Sequence, residues 1–140
     1  MSVFDAGKAY LFSPSAITIT QDGYPLRGAK VVRRWEWKDK LNEDLSYTDD
    51  DGVVKLEGVR ELSVSQILPV QFFVAQQLSV VIDGNEEVFW ENAKVSPSEN
   101  SELEGSPLIL NCEVNSKEKT YQLSGTELYT KCTWKDGDKE

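Results

Sequence analysis

Two cysteines, a run of three aspartates and a basic segment carrying two tryptophans are the parts of this chain whose residue types could do chemistry. A cysteine can act as a nucleophile, a metal ligand or half of a disulfide. The chain has 140 residues and no histidine. Ser-His-Asp and Cys-His nucleophile pairs, histidine bases and most zinc sites are therefore excluded. Cys112 and Cys132 alone cannot close a structural zinc site, and nothing is present to activate either thiol. They read as structural cysteines: a disulfide is within reach if their strands are neighbours, but buried thiols are expected in a cytoplasmic protein. Clustered carboxylates suit a hard cation, so Thr48-Asp49-Asp50-Asp51-Gly52 is tested against a calcium loop. A loop starting at Asp49 requires a glutamate at its twelfth position, which is Arg60. The run reads instead as an acidic hairpin turn. No catalytic constellation emerges, and the chain is read as a non-enzyme that needs no cofactor and no metal.

Charge bounds the partners. The net charge is -9, which repels phosphate backbones and disfavours nucleic acid. Residues 27–40 run the other way, with Arg27, Lys30, Arg33, Arg34, Lys38 and Lys40 against Glu36 and Asp39. The acids around them, Glu43, Asp44 and the Asp49–Asp51 turn, are placed to pair across a sheet with this basic strand. The same acids (Glu43, Asp44, Asp49, Asp50, Asp51), with Glu99, Glu102 and Glu104 of a later polar loop, are the natural contacts for a basic protein partner. No apolar run reaches the roughly 18 residues of a membrane span. The opening segment has no apolar core of a signal peptide, so a cytoplasmic location is expected.

The elements that must position these groups are strands. The composition, 39% hydrophobic, suits one domain over residues 1–140 with its own core. In Ala16–Gln21, Ile17 and Ile19 alternate with Thr18 and Thr20, the period of a half-buried strand. Residues 29–38 alternate too: Ala29, Val31, Arg33, Trp35 and Trp37 share a core face, and Lys30, Val32, Arg34, Glu36 and Lys38 a water face. Arg33 interrupts the apolar row. Either a β-bulge near Arg33 or Arg34 turns it outward, or it is a buried charge that requires a carboxylate. Asp51-Gly52 and Asp83-Gly84 are hairpin turns, and Asp22-Gly23 permits positive φ in a turn segment that Pro25 fixes. Phe72, Val74, Leu78, Val80 and Ile82 form one strand face, with Gln76 among them. Residues 62–68 fit one helical turn, and residues 95–107 a long polar loop. Leu108, Leu110, Cys112 and Val114 share a face, as do Leu128, Thr130, Cys132 and Trp134, so both sulfurs point inward. Many short strands with regularly spaced turns predict an all-β sandwich.

Gly23, Pro25, Leu26, Gly28, Ala29 and Val31, followed by Thr48, Asp49 and Gly52, resemble the opening of carboxypeptidase regulatory-like domains. These are transthyretin-like (prealbumin-like) sandwiches. The likeness covers residues 15–58 and implies a prealbumin-like Greek-key sandwich of seven to nine strands. It carries no single function. Such folds include a 5-hydroxyisourate hydrolase that relies on histidines and a C-terminal Tyr-Arg-Gly-Ser type tail. This chain has neither. The whole chain is also similar to a small group of bacterial proteins that share Leu11-Phe12-Ser13-Pro14 and then Gly23, Pro25, Gly28, Ala29, Val31, Arg33 and Trp35. That likeness implies contact-dependent antagonism of the type VI secretion kind. The expected function is a protein-binding module, in its sharpest form an immunity protein that occludes a basic bacterial toxin or effector. The alternatives are an accessory module of a secretion or surface apparatus, self-associating through an edge strand, and a carbohydrate-binding domain. The last requires Trp35, Trp37 or Trp90 to be exposed.

Overall fold

The computed structural model describes residues 9–61, 72–123 and 125–135. Thirteen strands lie among them: β1 Ala9–Phe12, β2 Ser15–Gln21, β3 Tyr24–Pro25, β4 Lys30–Trp37, β5 Lys40–Tyr47, β6 Val53–Leu56, β7 Val59–Glu61, β8 Val74–Ile82, β9 Asn85–Lys94, β10 Leu108–Glu113, β11 Lys119–Leu123, β12 Thr126–Thr130 and β13 Cys132–Thr133. The surplus over seven to nine comes largely from short segments; β3, β7 and β13 have only two or three residues each. The only helical element among the described residues is a 3-10 turn, Ser101–Leu103, inside the polar loop. The helical turn expected over 62–68 lies outside the described residues.

Alternation builds two facing sheets. One has five strands in the order β13-β10-β2-β3, with β6 also paired to β2. The other has six, in the order β11-β12-β9-β8-β4-β5. A two-stranded β1-β7 ribbon completes the set. The first sheet turns Ile17, Ile19, Leu108, Leu110 and Cys112 inward. The second answers with Val31, Leu78, Val80, Phe89, Trp90 and Leu128. The result is an all-β sandwich whose core is cut from alternate positions of both sheets. At one end Ala9, Leu11, Trp37, Phe72 and Val74 form a smaller cluster.

Turn chemistry sets the strand limits. Asp22-Gly23 and Asp83-Gly84 each have two consecutive positive φ angles, the pattern of two-residue hairpins. Lys38-Asp39 does the same, at φ 51° and 63°. Lys38 therefore ends the basic strand and does not sit on its water face as the alternation predicted. Gly52 is required by space as well as by φ: a Cβ there would lie 2.7 Å from the Ile19 carbonyl oxygen. Glu113 ties the β2-β3 turn to the end of β10. Its carboxylate accepts from Thr20 Oγ1 and from the backbone N–H groups of Asp22, Gly23 and Asn115, at 2.8–3.1 Å. The Gly23 N–H, with those of Asp22 and Asn115, holds its pKa down at about 2 despite partial desolvation.

The bulge is not at Arg33. It lies between β8 and β9, where Leu78 pairs with Trp90 and Ser79 with Val88. Phe89 is the extra residue, so two consecutive aromatics, Phe89 and Trp90, are both fully buried.

Candidate interaction surface

Register across the six-stranded sheet carries one outer row from edge to edge. Glu43 lies opposite Arg34, Arg34 opposite Gln77, Gln77 opposite Glu91, Glu91 opposite Tyr129 and Tyr129 opposite Thr120. The row is hydrogen-bonded. Arg34 Nη1 donates to Gln77 Oε1 at 2.9 Å, and Gln77 Nε2 donates to Glu91 Oε2 at 3.3 Å. Arg34 also grips Glu86 with both Nη atoms, at 2.7 and 2.8 Å, and reaches Glu43 at 3.4 Å. The Glu86 hydrogen bond raises the Arg34 pKa, and the same contact lowers that of Glu86. At the far end the Tyr129 hydroxyl donates to Glu127, which also accepts from Gln122 Nε2 at 2.6 Å. Five glutamates, Glu36, Glu43, Glu86, Glu91 and Glu127, are exposed on this face. Lys30 and Arg34 are the basic residues among them. The face is thus acidic and dotted with Tyr47, Tyr129, Leu41 and Leu45, which are 63%, 37%, 64% and 48% exposed.

Of the acids expected to pair with the basic strand, Asp44 and Glu43 do so, through Arg33 and Arg34, and the Asp49–Asp51 turn does not. Arg33 is a buried charge with a carboxylate opposite. Its Nε and Nη2 donate to Asp44 Oδ1 and Oδ2 at 3.1 and 2.7 Å, and its Nη1 donates to the Glu57 carbonyl at 2.7 Å. The guanidinium lies 5.2 Å from the Phe12 ring centre and 5.4 Å from that of Trp35. Val32, assigned to the water face, is buried. Asp44 therefore serves the fold first. So does Asp49, whose Oδ1 accepts from the N–H groups of Asp51 and Val53 at 2.9 Å. Glu43, Asp50, Asp51, Glu99 and Glu104 are exposed.

Glu102 is not a surface contact. It is 3% exposed. One oxygen accepts from Ser13 Oγ at 2.6 Å, and the other from Ser13 N–H and Gln76 Nε2 at 2.9 and 2.8 Å. Gln76 Oε1 in turn accepts from Trp90 Nε1 and Asn92 Nδ2. This explains why a glutamine stands in the apolar row of β8. Beside it Lys94 is buried, with Nζ donating to Ser96 O, Ser98 O and Ser101 Oγ at 2.6–2.8 Å. Burial pulls its pKa down to about 8, and Glu102 offsets only part of this. A hollow of about 290 Å³ opens here. All three ammonium protons are committed to these oxygens. The cluster pins the 95–105 loop to β1, β8 and β9. Sequence reasoning missed Lys94, two of whose three partners are backbone oxygens and the third a loop serine hydroxyl, none of them an acid that would signal a buried charge.

Cys112 and Cys132 face each other across β10 and β13 and are bonded. Of the two alternatives held open for them, the disulfide is the one realised; the thiols expected in a cytoplasmic protein are not. Trp37, Trp90 and Trp134 are buried, and Trp35 is half-buried beneath Arg33. The exposed indole that sugar stacking requires is therefore lacking among the described residues. No group of three His, Cys, Asp or Glu side chains among those residues could hold a metal ion. No described helix is long and apolar enough to cross a membrane.

A family model described as a domain of unknown function (DUF6795) matches residues 16–117, and the chain belongs to that family. No curated protein and no solved structure gives a significant match.

Proposed function

We propose that this DUF6795 chain is a non-enzymatic protein-binding module that presents the outer face of its six-stranded sheet to a basic partner. The observation that carries the reading is the row Glu43–Arg34–Gln77–Glu91–Tyr129. It holds an acidic, tyrosine-dotted face in one arrangement before any partner arrives. Complementary charge speeds encounter and sets orientation, and the exposed Leu and Tyr side chains supply the contact area. The sharpest form is a bacterial immunity protein of the type VI kind that covers the working surface of a basic toxin, and the Cys112–Cys132 disulfide favours an oxidising compartment over the cytoplasm for it. The transthyretin-like likeness of residues 15–58 belongs to the same proposal, as a scaffold on which binding faces vary. An accessory module of a secretion or surface apparatus is the second reading. It is favoured by the β5 edge beside the face, to which no described strand is paired.

The test is co-expression with a toxin encoded beside this chain, scored by growth, together with a titration of the purified pair. The expected result is protection, and binding that weakens as salt rises. Glu91→Lys with Glu127→Lys is expected to weaken binding about a hundredfold, on the order of two lost charge pairs. Binding that ignores both salt and this double substitution would place the contact elsewhere and overturn the assignment of the face.

A further inference from the structure

The edge of the six-stranded sheet has an orientation that the hairpin dictates. Lys38-Asp39 is a two-residue turn, so Trp37 and Lys40 are the hydrogen-bonded pair that closes it. At the other end Thr48 N–H donates to the Ala29 carbonyl, and the Thr48 carbonyl accepts from Gly28 N–H. Both ends agree. Lys40, Asn42, Asp44, Ser46 and Thr48 turn their backbone groups toward β4. Leu41, Glu43, Leu45 and Tyr47 must then turn theirs to the open edge. No described strand pairs there. These same four residues place their side chains on the outer face.

Charge changes sign along this strand. Lys38 and Lys40 stand at its start, and Asp49, Asp50 and Asp51 just beyond its end. A uniformly basic strand would be repelled by the first half. The segment that complements β5 over its whole length is β5 itself, reversed. We propose that two copies of the chain pair through their β5 edges, antiparallel about a two-fold axis, with Leu41 opposite Tyr47 and Glu43 opposite Leu45 of the second copy. This register lets all four edge-facing residues of each copy exchange both backbone bonds. It sets the exposed apolar side chains against each other and brings the Lys38–Lys40 tip beside the acidic turn. The axis then passes between the two Asp44 residues, each of whose carboxylates is neutralised by Arg33 of its own copy; moving it onto Glu43 would oppose two carboxylates that Arg34 reaches only at 3.4 Å, which is destabilising. The product is one continuous sheet whose two acidic faces lie on the same side. The inference stands on the edge and does not depend on what binds the face.

Sedimentation equilibrium tests it at concentrations on the order of 100 µM, where a small interface associates. The wild-type chain is expected at twice its 15.8 kDa mass. Glu43→Pro deletes an N–H that β4 does not use, and edge strands tolerate proline. It is expected to be monomeric with an unchanged far-ultraviolet circular dichroism spectrum, while Glu43→Ala remains dimeric. Lys38→Glu with Lys40→Glu is expected to weaken the dimer about tenfold, and adding Asp50→Lys with Asp51→Lys to restore it. A wild-type chain that stays monomeric overturns the proposal and leaves the edge to a strand of another protein. So does a dimer that survives Glu43→Pro, or charge reversals that neither weaken nor rescue.

Discussion

Replacing Asp44 with asparagine should cost far more than its half-exposed position suggests. The Arg33 side chain is 5% exposed and that of Asp44 is 41%. The substitution leaves a buried guanidinium facing one neutral oxygen and an amide that repels its N–H groups. Removing one partner of a fully buried pair costs about 3–5 kcal/mol. Water reaches the Asp44 side, and Arg33 keeps the Glu57 carbonyl, so the expected loss is about 2–3 kcal/mol. With a urea m-value of roughly 1.5 kcal/mol per M, the midpoint falls by roughly 1.3–2 M. Tryptophan fluorescence reports it, since Trp35 lies against the guanidinium. The companion Arg33→Met should cost less, because it leaves a carboxylate that water can solvate and a side chain that still packs on Phe12. Glu43→Gln, on the exposed partner of Arg34, should cost at most about 0.5 kcal/mol. The reasoning fails if Asp44→Asn and Glu43→Gln are equally mild, or if Arg33→Met is the worst of the three.

Glu113→Gln should destabilise the fold by about 1–2 kcal/mol at neutral pH, a value reduced for solvent screening at the turn. The carboxylate's folded pKa, about 2, lies below its ordinary 4.5. Its contribution is therefore complete above pH 4.5 and fades as the pH falls toward 2, where wild-type and variant melting curves should converge. Cutting the disulfide by Cys112→Ser with Cys132→Ser frees a loop of 20 residues and should lower stability by about 3 kcal/mol in the chain-entropy description; chemical denaturation measures it. Lys94→Met strips three oxygens of their donor, and amide exchange between Ser96 and Ser101 should rise at least tenfold while the β2 amides remain protected.

What was legible in the sequence was whatever local periodicity carries. The Ile17/Ile19 alternation, the apolar faces of β8 and β10 and the Asp22-Gly23 and Asp83-Gly84 turns all report their own strand, and they assembled into the all-β sandwich as read; Asp51-Gly52, expected to close a hairpin, instead carries the chain from β5 of one sheet to β6 of the other. The inward-facing cysteines were legible for the same reason. Lys38-Asp39 was not: lysine carries no turn preference, so the basic stretch read as one strand where the chain reverses. The Phe89 bulge was also hidden, because a run of two aromatics fits either strand face until its partner's register is known. Glu86, Glu91 and Glu127 joined the Arg34 row only through cross-strand register, which is a tertiary quantity. Glu102 shows the converse. In a run of serines and glutamates it looks solvated, and only the Ser13 and Gln76 donors from distant strands explain its burial.

The Arg34 row has a thermodynamic consequence for recognition. Long polar side chains usually surrender rotamer freedom when a partner arrives, at roughly 0.5–1.5 kcal/mol for each one immobilised. Arg34, Gln77, Glu86 and Glu91 are already cross-linked by hydrogen bonds. Their disorder was lost on folding, so docking to them is close to rigid-body association. A partner that fits should arrive with a small entropic penalty, and one that needs Arg34 to swing away must first break its grip on Glu86. Discrimination between similar basic surfaces would then reside in the stiffness of this row as much as in its charge.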